Sequence, residues 1–304
     1  MMTAPALAAI NRWYMPGPLG EAEMPYDFPL EGRPSFQGRY VLGGEVGEHN
    51  GYGGIYTPGA QVWCYLVPPS RYFKRHPEYF ALVDGKRLPA SPHTGQLCTT
   101  EPAVAYIVAR AAIKWFGENP EGIWPMSPDD NSDFCECKRC TALDVIPGQL
   151  TDRLIVFYNK VADIVAEKYP DRFMTFLAYN EYTMPPLVQR PRFNLIPQVC
   201  RIGAFAYGLS EERLEHLMGR WSYLSPILST YEYIGPWNWF GFSPILTELK
   251  RDFGIYKRVG VDIVAAECHP NWATQGLNIW AAQRLLWDTN LSVDFLIRDY
   301  CQGM

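Results

Sequence analysis

Acidic residues recur in this sequence just beyond short apolar runs. GIWPMS (residues 122–127) leads into Pro128, Asp129, Asp130 and Asn131, and LAYN, which contains Tyr179, leads into Glu181 and Tyr182. STYEYIG carries Glu232 and is followed by Trp237, Asn238 and Trp239, while IVAAE ends at Glu267 ahead of Cys268, His269, Pro270, Asn271 and Trp272. A lone acidic residue after a strand is ordinarily a helix cap or a solvated loop charge. Four in succession, most with Trp or Tyr beside them, point instead to a carbohydrate site, because the flat faces of aromatic rings suit the C–H faces of sugars. Glycoside hydrolysis uses two carboxyl groups, or one carboxyl acid plus a group on the substrate, around an oxocarbenium-like transition state. Asp129 and Asp130 could supply an acid of raised pKa and a neighbour that orients or polarises the substrate, since close like charges push one titration upward. An Asp-Asp-Asn capping turn fits the same letters.

Composition limits the alternatives. The chain has 304 residues, 48% hydrophobic and 19% charged, so it can bury a large core or two modest ones. Lys and Arg number 27 against 32 Asp and Glu, and no basic run interleaves with aromatics, so nucleic acid is not an expected partner. No apolar stretch approaches a membrane span, and the opening MMTAPALAAINRW is too short and too weakly apolar for a signal peptide. Five histidines without HxH spacing make a catalytic metal cage hard to build, and no cofactor is expected. Aromatics reach 14%, more than an aliphatic core requires, which leaves some for recognition surfaces.

The elements that must position these residues follow from periodicity. QVWCYLVPP, GQLCTT, GIWPMSPDD, RFMTFLAYNEY, VCRIGAFAY, ILSTYEYIG and VDIVAAECHP read as strands. Between them EPAVAYIVARAAIKWFGENP, LTDRLIVFYNKVADIVAEKYPD, SEERLEHLMGRWSYL and SPILTELKRDFGIYKRVG read as helices, and NIWAAQRLLWDTNLSVDFLIRDY closes the chain. Thr100 and Ser210 stand as helix caps. This alternation predicts an α/β fold, a (β/α)8 TIM-type barrel with its body at residues 61–304, its strand C-terminal ends carrying the chemistry. Seven strands are one short of eight. Residues 1–60, rich in Gly and Pro, are read as an irregular segment or incomplete barrel start: either RYVLGGEV hides an irregular first strand or the chain begins inside a longer protein, and the second is the expectation adopted.

Cys135, Cys137 and Cys140 form a CxCxxC motif among eight cysteines. Such close thiols resemble a metal knuckle, but a tetrahedral zinc site needs a fourth ligand, for which Cys98 or His93 would have to come from a neighbouring strand end. Disulfides in an exported protein, or uncombined thiols, stand ahead of zinc in this reading.

Val67-Pro68-Pro69-Ser70-Arg71-Tyr72-Phe73, then His76-Pro77-Glu78-Tyr79-Phe80-Ala81-Leu82, Asp84-Gly85-Lys86-Arg87, Gln96-Leu97-Cys98-Thr99 and Ser127-Pro128-Asp129-Asp130 with the CxCxxC together resemble the bacterial domain of unknown function 4838 family. The match extends more loosely through Leu286-Trp287-Asp288. The resemblance implies a glycoside hydrolase-like barrel directed at glycans, with N-acetylated or acidic sugars as substrates, in exported (periplasmic or extracellular) proteins where a small hexosaminidase-type or α-glucuronidase-type domain precedes the barrel. By analogy of position it implies Asp130 as general acid and Asp129 as orienter, with Glu232 and Glu267 as reserve base or nucleophile for an inverting, α-glucuronidase-like reaction. His76, Arg87, Tyr179, Glu181, Trp237, Trp239, His269, Asn271 and Trp272 are the expected substrate contacts. A barrel that binds carbohydrate without turnover is the alternative.

Overall fold

The computed structural model describes residues 33–42, 53–201, 208–234, 244–268 and 272–303. The chain forms two compact units, one of Met1–Thr57, Val199–Tyr223 and Ile227–Met304, the other of Pro58–Gln198 and Leu224–Pro226. Its strands in chain order are β1 (Gly38–Leu42), β2 (Gly53–Gly54), β3 (Leu82–Val83), β4 (Lys86–Arg87), β5 (Trp124–Pro125), β6 (Met174–Ala178), β7 (Leu195–Cys200), β8 (Ser229–Tyr233) and β9 (Ile263–Glu267). β7 is divided between the units.

In the first unit, hydrogen-bonded neighbours run β2-β1-β9-β8-β7. β8 and β1 both pair in parallel with β9, from Ser229↔Ile263 to Tyr233↔Glu267 and from Gly38↔Ile263 to Leu42↔Glu267. In the second unit the order is β7-β6-β5, with Trp124 opposite Met174 in parallel register. β6 and β7 are buried at every position, which is why they read as continuous apolar runs rather than alternating ones. Parallel strands alternating with long helices bear out the α/β class. The closed eight-stranded barrel is not formed by the described residues: the sheet has seven strands, and β2 pairs antiparallel at its edge.

Residues 38–42 form a strand that takes in the start of the RYVLGGEV string, as one of the two readings of this region allowed. Arg39, Tyr40, Val41 and Leu42 open the RYVLGGEV string, and they pair in parallel with β9. The strand evaded periodicity because Gly and Pro surround it. A second difference lies in QVWCYLVPP. Only Gln61 bridges in a strand-like way, to Ser127, and Trp63–Leu66 forms a helical turn. Trp63 and Val67 are fully buried, and the Trp63 indole N–H donates to the Met126 carbonyl at 2.8 Å, so this apolar run reflects burial rather than strand geometry. GQLCTT contributes only an isolated bridge, Leu97 to Phe80, and in VCRIGAFAY the strand ends at Cys200.

The long helices lie where expected, at Pro102–Glu118, Thr151–Ala166, Glu211–Leu224, Leu246–Val259, Trp272–Trp287 and Val293–Gly303. Ser210 acts as a cap, its Oγ accepting from the Arg213 N–H at 3.4 Å. Gly260 ends the Leu246–Val259 helix in the left-handed region at φ 87°, a conformation in which a Cβ would be strained. Thr100 does not cap: Glu101 is the N-cap residue of Pro102–Glu118, and the Thr100 hydroxyl lies 3.2 Å from the Cys140 sulfur instead.

Candidate functional site

In the second unit the loop after β5 carries Asp129 and Asp130, and adjacent residues face opposite environments. Asp129 is 2% exposed, whereas Asp130 is exposed to solvent. Asp129 Oδ2 accepts the Cys64 backbone N–H at 2.9 Å, while its Oδ1 is buried without a hydrogen-bond partner. Burial pushes the Asp129 carboxyl up to about 6, against the pull of the Cys64 thiol and N–H. For Asp129 it is desolvation, rather than a neighbouring charge, that raises the carboxyl. Beside it, burial first and the carboxyl second push the Cys64 thiol up to about 12.

Gln96, missed as a functional candidate in the sequence, holds this loop. Its Nε2 donates to the carbonyls of Asp129 (2.7 Å) and Asn131 (3.0 Å), and its Oε1 accepts the Asp129 N–H at 3.2 Å. A glutamine inside an apolar run was the available signal. Gly95 donates its N–H to Asp133 Oδ2 at 2.8 Å, tying the same two segments together. Further along, the Ser132 hydroxyl donates to Glu181 Oε1 at 2.5 Å, so Glu181 joins the loop of the Asp pair. Glu181 sits in the turn Asn180–Tyr182, and Tyr179 packs edge-on against Tyr182 at 6.4 Å.

In the first unit, Glu232 and Glu267 belong to neighbouring strands but point to opposite sides of the sheet. Register pairs Glu267 with Tyr233 and Glu232 with Ala266, and successive strand side chains alternate in direction. The half-buried Glu267 accepts the Tyr231 hydroxyl at 2.8 Å, and Tyr231 packs edge-on to Tyr233 at 5.5 Å. On this same register side Tyr40 of β1 packs against Tyr56 at 4.9 Å. Glu232 instead meets the Leu246–Val259 helix. It accepts the Tyr256 hydroxyl and pairs with Arg201 at 3.4 Å, while Arg201 also donates to Asp252 (2.8 Å) and Tyr256 (2.6 Å). Glu232 is 1% exposed, and burial raises its pKa against the opposing effect of Arg201. The expectation that Asp130, Glu181, Glu232 and Glu267 all open onto one face is therefore corrected: the period-2 alternation of a strand turns Glu232 away from Glu267 and toward the Leu246–Val259 helix.

Two expected substrate contacts have other partners. His76 Nδ1 lies 3.0 Å from Glu78 Oε1, and its ring stacks on Tyr79 at 4.6 Å. Arg87 donates to the Phe80 carbonyl at 2.5 Å and to the Cys135 sulfur at 3.7 Å, which ties its guanidinium to the cysteine motif. Trp237, Trp239, His269 and Asn271 lie outside the described residues, and Trp272 opens the last helix but one.

None of the eight cysteines is in a disulfide, and Cys98, Cys135, Cys137 and Cys140 bring their sulfurs within 4.8 Å of one another. Cys98, not the exposed His93, is the fourth member. Hydrogen bonds from the Cys135 and Cys140 thiols hold Cys98 far below the ordinary thiol range.

The sequence profile described as Domain of unknown function (DUF4838) matches residues 33–304. No curated protein matches the chain. Among solved structures, a doubly substituted CpGH89 from Clostridium perfringens, in complex with its substrate GlcNAc-alpha-1,4-galactose, is similar at a TM-score of 0.48 and 12% identity, over 82% of this chain and 26% of that one. This chain thus spans about a quarter of that protein's length.

Proposed function

The chain belongs to the DUF4838 family, and from that premise we propose that it is a glycoside hydrolase-like, glycan-processing domain acting on N-acetylated or acidic sugars, with Asp129 as the general acid. One observation carries this reading: a carboxyl beyond the end of a parallel strand, pushed up to about 6 by burial, with one oxygen lacking a partner. A carboxylic acid that keeps its proton near neutral pH can protonate a leaving-group oxygen, and the oxygen that no protein group engages is the one able to carry and donate that proton. The exposed Asp130 then orients or polarises the substrate, the reverse of the roles implied by position alone. Glu267, half-buried among tyrosines, is the remaining candidate for base or nucleophile. Tyr179 and Glu181 are proposed as substrate contacts.

Turnover of aryl and natural glycosides of N-acetylated and uronic sugars tests the proposal. Hydrolysis by the parent chain with a pH–rate limb near 6 that vanishes in Asp129→Asn supports it. Hydrolysis unchanged in Asp129→Asn removes that residue from the mechanism. A second reading, carbohydrate binding without turnover, is favoured by the bond from Asp129 to the Cys64 N–H and by the near-complete burial of Asp129. Saturable glycan binding by calorimetry with no product release would select it.

A further inference from the structure

We propose that Cys98, Cys135, Cys137 and Cys140 are the four ligands of a structural zinc ion, which clamps the loop carrying Asp129 to the segment carrying Gln96. A zinc–thiolate bond of about 2.3 Å in a tetrahedron requires sulfurs about 3.8 Å apart. Cys98 Sγ lies 3.8 Å from both Cys137 Sγ and Cys140 Sγ. Sulfurs joined in disulfides would stand about 2.0 Å apart in pairs, whereas here all four lie within 4.8 Å of one another and none is in a disulfide. Four thiolates in a tetrahedron select zinc or iron among the common metals. A multinuclear iron–sulfur cluster interposes its own atoms and holds its thiolates farther apart than a single ion does, so the spacing favours one ion.

The surroundings are built for anionic sulfur. Leu82 donates its backbone N–H to Cys135 Sγ at 3.3 Å, and Arg87 adds a guanidinium donor at 3.7 Å. Both come from the β3–β4 hairpin, whose Asp84-Gly85 turn has positive φ at both residues (46° and 74°), the geometry that lets two strands reverse within two residues. The Thr100 hydroxyl faces Cys140 Sγ at 3.2 Å. Four thiolates and one zinc ion carry a net charge of about −2, which donors of this kind offset as they orient the ligands. Arg139, paired with Glu101 at 2.9 Å, immediately precedes Cys140 and adds a second cation beside the motif. Cys98, Cys135 and Cys140 are buried and all four positions are occupied by protein, the closed arrangement of a structural rather than a catalytic zinc. This inference does not depend on the glycan reading, and it can fail or hold whatever the enzyme activity.

Metal analysis of the full chain, purified and then passed through a weak chelator, is expected to give about one zinc per chain. Cys98→Ser and Cys140→Ser should drop this at least about tenfold, while Cys301→Ser and Cys268→Ser should keep it. Because the first two variants could misfold, cobalt exchange into the parent provides an independent readout: intense visible absorption of tetrahedral tetrathiolate cobalt, abolished by added zinc, is expected. Folded parent chain with less than about a tenth of a metal per chain and four reactive thiols overturns the proposal. So do iron–sulfur absorption, or mass spectrometry showing disulfides among these four cysteines.

Discussion

Glu232 and Asp129 invite comparison because one lies in a parallel strand and the other in the loop beyond one, and each is almost wholly buried with its pKa raised chiefly by burial. Their surroundings differ. Glu232 meets a guanidinium and a phenol: Arg201, just beyond the neighbouring strand β7, offsets its charge, and Tyr256 of the Leu246–Val259 helix donates to it. Asp129 meets only a backbone N–H and a thiol, and one of its oxygens is left without a partner. A buried carboxyl given a cation becomes part of the scaffold, whereas one denied a cation keeps its proton and stays available for chemistry.

The largest expected effect breaks the scaffold half of this pair. Arg201→Met would leave Glu232 buried without its cation, while Asp252 keeps its pair with Arg251 at 2.6 Å, and removing one partner of a buried ion network costs about 3–5 kcal/mol. Urea unfolding of the first unit's signal should show that loss. Glu232→Gln keeps an acceptor for Tyr256 and should cost less; folded Glu232→Gln protein should retain glycosidase turnover. If it loses turnover while folded, the assignment of Glu232 to packing is wrong.

Next comes the chemical half. Asp129→Asn should slow hydrolysis of unactivated glycans by a factor on the order of 10² or more, and far less with aryl leaving groups that need no protonation. Asp130→Asn should affect both substrates alike. Equal losses on the two substrate classes in Asp129→Asn would assign the residue to structure, as the cap of the Trp63–Leu66 turn.

Much of the fold was legible because parallel strands are buried on both faces and their apolar runs stand out, as in MTFLA and IVAAE. Residues 38–42 were harder to place, since GRYVL is short and carries Arg39, whose polar head is buried and donates to the Phe36 carbonyl at 2.7 Å. Strand ends were legible as the source of acidic residues, but which way each carboxylate points was not. Alternation is set by register, and a one-residue uncertainty exchanges the two faces. Likewise the adjacency of Asp129 and Asp130 predicted mutual repulsion, while the structure separates them by exposure. The cysteine motif was visible, yet its fourth ligand lies 37 residues before Cys135 and only the fold brings Cys98 to it.

A smaller effect concerns pH. Asp129 and Asp262 are both raised to about 6, with burial the leading cause in each, although Asp262 also accepts the Leu228 N–H at 3.0 Å. The folded chain therefore holds these protons more tightly than the unfolded chain, where aspartate titrates near 3.8. Their contribution to stability is fully present below about pH 4 and is lost as pH rises through about 6, on the order of 2 kcal/mol for each group. Denaturant midpoints across that range should fall less steeply in Asp129→Asn and in Asp262→Asn than in the parent. An unchanged slope in Asp129→Asn would mean that its carboxyl is already ionised, which would undercut its role as an acid.

The smallest expected effect tests the open face that Glu267 shares with the tyrosines. Tyr231→Phe removes one hydroxyl that donates to Glu267 at 2.8 Å and leaves the ring to pack on Tyr233. Because Glu267 is half-buried, water can replace part of the lost bond, so the stability cost should stay near about 1 kcal/mol. If Glu267 is the base or nucleophile, loss of the hydroxyl that orients it should lower kcat in Tyr231→Phe with little change in KM, whereas Glu232→Gln should leave both in place. A fall in kcat in Glu232→Gln and not in Tyr231→Phe would exchange the roles assigned to the two faces of β8.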